Sequence, residues 1–399
     1  MVTKLMTSGW KNVLPRSFFI RNSIEKEILP NLAHRKTDKM TIKPAIAYLV
    51  LLITIICSCK PTEEKPYTPT PYAIETPNYF PTLTNIPPDN PMTEEGVALG
   101  RKLFYDSRLC GRQDASGITD CASCHHQENG FESGYGNMGT HHVMLPLVNL
   151  TWNTTGLGWN GGVANLEDMV LAAVTAENEI DGDTTQIVQL LQSTDDYPDL
   201  FFKAFGSSRI TFVNIGKAIA QFVRSLVSAD SKFDRYLRGE EQLTQEELNG
   251  YLLFVTEEGA DCFHCHGGGG NALFTTNLFY NNGLDSVFTD PQDRFSITKN
   301  PSDKGAYKAP TLRNISLTGP YMHDGRFKNI DEVIDFYSEG VCYSEQISPL
   351  MHHVMQQGVR LTDEEKTQLK AFLNTLTDEN FINNPNFSKP IPWDRSSTQ

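Results

Sequence analysis

The sequence has few of the features that identify several large protein classes. Only eight of its 399 residues are cysteines, too few for a disulfide-stapled scaffold. It has no excess of positive charge, and its net charge of −14 argues against a nucleic-acid-binding surface. The apolar run at residues 45–57 has 13 residues, whereas a membrane-spanning helix needs roughly 20. With 39% hydrophobic and 21% charged residues, the chain is typical of a globular protein with two or three domains.

The apolar run has the length of the hydrophobic region of a secretory signal, and Lys43 gives it a positive flank. It ends in a serine followed by Cys59, which resembles the cleavage box of bacterial lipoproteins. We therefore expect residues 1–58 to be an upstream extension plus a lipoprotein signal peptide, with Met40 as the true start and Cys59 lipidated. A buried core helix is the alternative, but a lysine and several prolines follow the run.

Residues 59–91 are rich in proline, which predicts an extended, semi-rigid tether. We expect a bacterial protein of the periplasm or cell envelope, held through its lipid, with the outer membrane as the favoured location. Residues 1–58 carry a net charge of +6, so the remainder carries −20. Such a chain would attract a basic partner, although solubility alone explains the charge equally well.

The folded part contains a faint internal repeat. Residues 93–104 lead to Cys121–His125, and residues 244–254 lead to Cys262–His266. Each unit is a threonine-capped amphipathic helix, a glycine-containing loop and a Cys-x-x-Cys-His sequence. Capping boxes and apolar periodicity predict further helices, and alternating strand patterns are few. The predicted helices outside the repeat cover residues 213–228 and 363–376.

Cys-x-x-Cys-His is the attachment signature of c-type haem. Two thiols two residues apart can add to the two vinyl groups of one porphyrin, and the adjacent histidine can bind its iron. The sequence therefore predicts two covalently bound haem c groups, held by Cys121, Cys124, His125, Cys262, Cys265 and His266. A zinc ribbon needs closer cysteine pairs, a thioredoxin-like site needs a βαβ unit, and disulfides within the motifs would be strained. Cys110 and Cys342 are left open, either paired or free.

The chain resembles the bacterial di-haem cytochrome c peroxidases, the family that includes MauG. The resemblance covers about residues 88–380, and it depends on the order and spacing of five stretches. These are Leu103–Arg108, Cys121–His125, Trp159–Asp168, Cys262–Gly267 and Ala309–Gly325.

The resemblance implies an all-α fold in which two cytochrome c-like haem domains pack together with long loops. An N-terminal peroxidatic domain would cover residues 92–240, an electron-transfer domain 241–385, and a tail 386–399. It also implies a cytochrome-c-peroxidase-like oxidoreductase of class EC 1.11.1. Hydrogen peroxide would be reduced to water with electrons from a small periplasmic donor, a cytochrome c or a cupredoxin, and a homodimer is a candidate assembly.

By the same resemblance, His125 is the proximal ligand of the peroxidatic haem and His266 that of the electron-transfer haem. Trp159 matches the tryptophan between the haems, with an ordinary core aromatic as the alternative. Glu179 matches a glutamate of the distal pocket, where peroxide cleavage needs a group that moves a proton. Its alternative is a solvated acidic loop, because Glu177, Asp181 and Asp183 are close in sequence.

The far ligand of the second haem lies, in this family, 14 residues after the histidine that corresponds to His323. That position is Tyr337, as in the methylamine-utilisation enzyme, whereas classical peroxidases have methionine. The axial ligand is a main control on haem potential. Alternatives are a core stripe that includes Tyr337, or thioether ligation by Met351 or Met355.

The resemblance also implies one calcium ion, bound partly through the carbonyls of Thr318 and Pro320. The chain departs from the family at Asn160, Gly162 and Met169. No distal histidine aligns between His125 and Trp159, because His141 and His142 fall in the wrong place. An iron without such a ligand would be open before any reduction.

Two further hypotheses follow. One is a MauG-like oxidase that acts on a protein or organic substrate through a high-valent bis-haem state. The other is a non-catalytic electron-transfer protein with two six-coordinate haems.

Overall fold

A computed structural model describes residues 66–110, 118–133, 142–268 and 270–390 of the protein. The expected signal peptide and Cys59 lie outside these residues, so both stay predictions. The described residues belong to one compact unit. None of the helices among them is both long enough and apolar enough to cross a membrane.

Helices joined by long loops dominate the described residues, which confirms the predicted all-α fold. Its α-helices are α1 Glu94–Phe104, α2 Leu166–Thr175, α3 Thr184–Gln192, α4 Tyr197–Phe205, α5 Phe212–Ser225, α6 Lys232–Leu237, α7 Gln245–Phe254, α8 Phe263–His266, α9 Phe295–Thr298, α10 Ile330–Glu339, α11 Asp363–Asn374 and α12 Glu379–Ile382. The strands in this part of the chain are β1 Phe279–Tyr280 and β2 Tyr307–Lys308, which pair antiparallel.

The helices begin where the sequence places its capping residues. The side chain of Thr93 caps α1, and Thr244 and Thr362 open capping boxes at α7 and α11. The helix predicted over residues 213–228 is α5, which ends three residues earlier, at Ser225. Leu226 leaves the helical conformation, with φ −76° and ψ 80°, and the chain turns away there.

Two hydrophobic cores surround two helix crossings, α1 with α5 and α7 with α11. Each crossing depends on a glycine, Gly100 in α1 and Gly250 in α7. A Cβ atom at either glycine would collide with a backbone carbonyl of the partner helix, so only glycine allows this close approach. We call residues 93–228 the first half of the molecule and residues 244–378 the second half.

The two halves also match in one loop each, the loops that contain Asn149 and Asn314. Asn149 and Asn314 both adopt left-handed backbone conformations, with φ of 59° and 61°. The amide of Asn149 donates to the carbonyl of Leu226 at 2.9 Å, and that of Asn314 to Leu376 at 3.0 Å. The internal repeat therefore extends well beyond the capped helices and the cysteine motifs.

The end of the chain returns to the first half. Phe381 and Phe387 are buried in the core around α1 and α5. The hydroxyl of Tyr105 donates to the carbonyl of Phe387 at 2.8 Å, and Nε of Arg101 donates to that of Ser388 at 2.6 Å. The first core is thus completed by residues that follow the second half.

Two candidate haem sites

The second cysteine motif opens onto an apolar cavity. Cys262 precedes α8, and Cys265 and His266 lie in it, and all three side chains line the cavity. Nδ1 of His266 donates to the carbonyl of Pro310 at 3.1 Å, which leaves Nε2 as the ring atom available to a metal. Burial lowers the pKa of His266 to about 4, although the bond to Pro310 opposes this effect. The imidazole is therefore neutral, as an iron ligand must be.

Tyr337 lies on α10 and lines the same cavity as His266. Nδ2 of Asn282 donates to its hydroxyl oxygen at 2.9 Å. Burial raises the pKa of the phenol well above its usual value, and the bond from Asn282 works against this rise. The structure thus brings Tyr337 and the second motif to one cavity.

The two methionines considered as alternative ligands differ in position. Met351 also lines the cavity, so its thioether remains an alternative to Tyr337. Met355 is 83% exposed and lies outside the lining. Of the two, Met351 alone keeps its place among the candidates for the far ligand.

The first cysteine motif repeats the histidine geometry of the second. Nδ1 of His125 donates to the carbonyl of Phe131 at 2.8 Å, which again leaves Nε2 for a metal. Burial lowers the pKa of His125 to about 4. Burial, and then the charge of Glu179, raise the pKa of Cys124 to about 11.

Glu179 follows α2, near the first motif. After burial, which is the largest cause, its charge contributes to the raised pKa of both Cys121 and Cys124. Its side chain is partly buried, and burial raises the pKa of its carboxyl group. By contrast, Glu177 and Asp183 are exposed, and Asp183 caps α3. Glu179 therefore differs from these two exposed neighbours, although Asp181 is partly buried as well, and its carboxyl group can hold a proton near the first motif.

Trp159 lines the apolar cavity at the second cysteine motif, which we call the second cavity, rather than an ordinary hydrophobic core. Its Nε1 donates to the carbonyl of Val143 at 2.8 Å, and its ring centroid is 6.4 Å from that of His323. The amide of Val143 in turn donates to the carbonyl of His323 at 2.8 Å. These contacts fix the indole at the wall of the cavity.

Sequence reasoning missed a polar cluster beside Trp159. Oδ2 of Asp290 is 2.6 Å from Nε2 of His142 and accepts a 2.6 Å hydrogen bond from the hydroxyl of Tyr307. The rings of Tyr307 and His323 are stacked, with centroids 3.7 Å apart. Residues so distant in sequence carry no local signal of this proximity. His142 therefore packs against Tyr307 and His323, which line the second cavity.

The loops that carry Trp159 and His323 have the same backbone form. Each is closed by an isolated antiparallel bridge, Leu157 with Val163 in the first half and Tyr321 with Phe327 in the second. In both, a glycine two residues after the aromatic ring has φ of 70°. Trp159 and His323 thus occupy equivalent positions in the repeat.

Both loops then enter a helix at the same spacing. Asn165 caps α2, and Asn329 caps α10, each through its side chain. Counting the same number of residues from these asparagines places Ala173 where the second half has Tyr337. The position that holds a phenol at the second site therefore holds a methyl group at the first.

The residues expected at the calcium site lie where the halves meet. Thr318 is buried, and a Cβ atom on Gly130, from the loop after the first motif, would lie 3.7 Å from its Cγ2. The buried Glu132 is near Tyr321: burial first, and then this carboxylate, raise the pKa of Tyr321 to about 12. Calcium coordination by Thr318 and Pro320 stays a prediction.

No disulfide links the cysteines of the described residues. Sγ of Cys110 donates to the carbonyl of Ile118 at 3.0 Å, and Cys342 is exposed. Of the two alternatives left open by the sequence, the pairing of Cys110 with Cys342 is not observed.

Comparisons with known proteins point to one family. The model of the family described as di-haem cytochrome c peroxidase matches residues 94–242. The methylamine utilization protein MauG of Methylorubrum extorquens is 32% identical over 73% of this chain and 81% of its own. The cytochrome-c peroxidase IdrP1 of Pseudomonas sp. strain SCT is 31% identical over 73% and 83%. A solved MauG-like protein associated with microbial copper homeostasis is 36% identical, with a TM-score of 0.71 over 80% of this chain and 99% of its own.

Proposed function

Because the chain belongs to the family of di-haem cytochrome c peroxidases and MauG proteins, we propose that it uses two haem c groups to reduce hydrogen peroxide to water. Cys121, Cys124 and His125 would hold the haem that supplies the iron centre for peroxide. Cys262, Cys265 and His266 would hold the haem that supplies the entry point for electrons from a small periplasmic donor protein. When bound, the haem groups supply iron centres that accept the two oxidising equivalents of peroxide.

The difference between Ala173 and Tyr337 carries this assignment. Both histidines present Nε2 to a metal, so each site fits a haem iron bound from one side. On the far side, Tyr337 offers a phenol oxygen at the second site. Ala173, at the equivalent position of the first, has no ligand atom. Ala173 would therefore give a haem iron at the first site no second ligand and leave it accessible to peroxide, whereas Tyr337 would supply one at the second site, which suits electron transfer.

In this proposal Glu179 acts as the general acid–base group that transfers the proton. Cleavage of peroxide to water requires a proton to move from the inner oxygen to the outer one. The Glu179 carboxylate lies near the first motif and can take the first proton and return it to the departing oxygen. Trp159, at the wall of the second cavity, lies on the route by which electrons pass between the sites.

A second candidate function is oxidation of a protein or organic substrate, as in a MauG-like oxidase. Tyr337 beside Asn282 favours it, because a phenol ligand lowers a haem's potential and stabilises its oxidised states. Two of the relatives reported above, one of them 36% identical, have MauG in their names. The two functions share the haem sites and differ in the source of the electrons.

The remaining expectations complete the proposal. We place the domain boundaries at residues 92–240 and 241–385, and a calcium ion at Thr318 and Pro320. The protein is lipid-anchored in the bacterial cell envelope through Cys59. Replacement of this cysteine by alanine is expected to release the protein from the membrane fraction.

Absorption and electron paramagnetic resonance (EPR) spectra of the purified ferric protein, before and after peroxide, test the proposal. One high-spin and one low-spin haem are expected, with a reaction on adding peroxide to the ferric form. Two low-spin haems that ignore peroxide even after reduction would instead identify an electron carrier. Turnover with a reduced cytochrome c or cupredoxin supports the peroxidase, and peroxide consumption that needs an organic reductant supports the oxidase.

A further inference from the structure

Three side chains outside the proposed haem ligands meet beside the second cavity: Asp261 and His352, which line it, and His264. We call them the Asp261 cluster. Nδ1 of His264 is 2.5 Å from Oδ1 of Asp261, and Nδ1 of His352 is 3.7 Å from its Oδ2. One ligand atom from each residue lies within 4.8 Å of the other two. Two imidazoles therefore face one carboxylate from both sides.

These atoms suit a divalent transition-metal ion. Ligands bound at about 2.0–2.1 Å from one ion lie roughly 3–3.5 Å apart, so small side-chain rotations would close the site. Imidazole is a preferred ligand of zinc and copper, and a carboxylate completes such sets well. The Oε1 atom of Glu257 is 3.0 Å from Nδ1 of His352 and can supply a fourth ligand from the solvent side.

The site is accessible to an ion from solution. The side chain of His352 is 35% exposed and that of His264 is 21% exposed, whereas that of Asp261 is only 7% exposed. The site therefore consists of a buried, negatively charged carboxylate and two partly exposed imidazoles. Such an arrangement attracts a cation and leaves room for a water ligand.

The first half provides a built-in comparison. Asp120 precedes its cysteine motif as Asp261 precedes the second. There, the Oγ atom of Ser123, at the position equivalent to His264, donates to Oδ1 of Asp120 at 3.0 Å. A serine hydroxyl satisfies this carboxylate without forming a ligand set. The paired imidazoles are thus an addition of the second half and are not required by the motif itself.

The neighbouring His353 is not part of the cluster. Its Nε2 donates to the carbonyl of Glu257 at 2.9 Å, and its Nδ1 accepts from Nε2 of Gln356 at 2.9 Å. Both ring nitrogens are therefore occupied by hydrogen bonds. His353 has the same chemistry as His352 one residue away and serves as its matched control.

We propose that the Asp261 cluster binds one divalent transition-metal ion, Zn²⁺ or Cu²⁺, beside the second cavity. This binding does not depend on the proposed catalytic function. The effect of metal binding on the second haem does rest on the proposed function. Asp261 directly precedes Cys262, and a bound cation offsets the negative charge of Asp261. The potential of that haem is then expected to become more positive when the metal binds.

Isothermal titration of Zn²⁺ into the haem-loaded full chain, purified without a polyhistidine tag, tests the proposal. The wild type is expected to bind one Zn²⁺ per chain. His352→Gln and His264→Ser each should weaken binding by more than the roughly 10–100-fold that loss of an outer-shell partner costs. His264→Ser introduces the serine that the first motif has at this position, so haem attachment, measured by the haem-to-protein ratio, should be retained.

His353→Gln is expected to bind like the wild type. EPR of added Cu²⁺ should show coupling to two nitrogen nuclei in the wild type and to one in His352→Gln. The proposal is overturned if no stoichiometric binding occurs, or if binding survives in His264→Ser combined with His352→Gln. Loss of binding in His142→Gln instead would assign the ion to the other cluster, His142–Asp290–His323. Spectra and peroxide reactivity report on the haem sites separately.

Discussion

The two halves of the molecule share a backbone and differ in a few side chains. Both have a glycine at the helix crossing, a left-handed asparagine and a loop that enters a capped helix. At equivalent positions, the first half has Trp159 and Ala173 where the second has His323 and Tyr337. The comparison teaches that one scaffold presents both cysteine motifs in the same way, and that in the proposed function single side chains distinguish the two sites.

The largest expected effect comes from giving the first half a ligand. Ala173→His should place an imidazole opposite His125, convert the first haem to the low-spin state and abolish most of its reaction with peroxide. EPR and stopped-flow absorption measure both changes. Ala173→Leu fills similar space without a ligand atom and should remain high-spin. If Ala173→His stays high-spin and reactive, the equivalence of Ala173 with Tyr337 fails.

Removing the proton-moving group should have the next largest effect. Glu179→Gln is expected to slow peroxide cleavage by about 10²–10⁴-fold, because its amide cannot accept and return the proton. Glu177→Gln, at an exposed position, is the control and should react normally. Unchanged peroxide kinetics in Glu179→Gln would assign the proton transfer to another group.

The same glutamate predicts a pH dependence. Burial raises the pKa of Glu179, and the carboxylate must be ionised to take the first proton. The rate constant for peroxide should therefore fall as the pH drops through a value above the ordinary range of a glutamate. Glu179→Gln should lack this inflection, and a wild-type rate that is flat over that range would contradict the assigned role.

Two buried ion pairs, one within the first half and one that joins α6 to the second half, can be compared by the stability lost on breaking each. Asp234 and Arg313 form a fully buried bidentate pair at 2.7 and 2.8 Å. Breaking it with Asp234→Asn should cost about 3–5 kcal/mol of unfolding free energy. Glu167→Gln, which breaks the pair with Arg224, should cost less, because the side chain of Glu167 is 14% exposed. Urea unfolding measures both, and equal losses would contradict this ranking.

The same pairs set the response of stability to acid. Burial by itself would raise the pKa of Asp234 and Glu167, but the arginine partners more than offset it and lower both. Their contribution is fully present above the pKa of the unfolded chain. It is lost as the pH falls through the depressed pKa of the folded state. As the pH is lowered, the free energy of unfolding should therefore decrease less steeply in the Asp234→Asn variant than in the wild type.

The smallest expected effect is a loss of stability on replacing the glycine at either helix crossing, and it should be equal in the two halves. Gly100→Ala and Gly250→Ala each force a Cβ atom against a partner-helix carbonyl, which should cost about 1–3 kcal/mol. Gly270→Ala, which meets nothing within 4 Å, should be nearly neutral. Unequal losses at the two crossings would show that the cores are less alike than their backbones.

The sequence predicts the parts of this molecule that depend on local chemistry. Capping threonines mark the starts of α1, α7 and α11. The cysteine motifs give the two expected haem sites, which stay predictions. The family spacing leads to Tyr337, which the structure places in the cavity of His266. Its role as a ligand, like the roles of Glu179 and Trp159, stays a prediction.

What the sequence does not predict depends on contacts between distant residues. Asp290 and Tyr307 join His142 only when loops far apart in the chain fold together. The equivalence of Trp159 with His323 is also hidden, because the side chains differ and the loops before them differ in length. It becomes visible in backbone angles and bridges, which the sequence does not state.

The return of the chain end to the first core has a consequence for the order of synthesis and folding. Phe381 and Phe387 are among the last described residues, yet they complete the core around α1. A nascent chain therefore cannot finish its first half until almost all of it has been made. The first pair of cysteines packs against this same core, so its surroundings are completed only when the end of the chain has arrived.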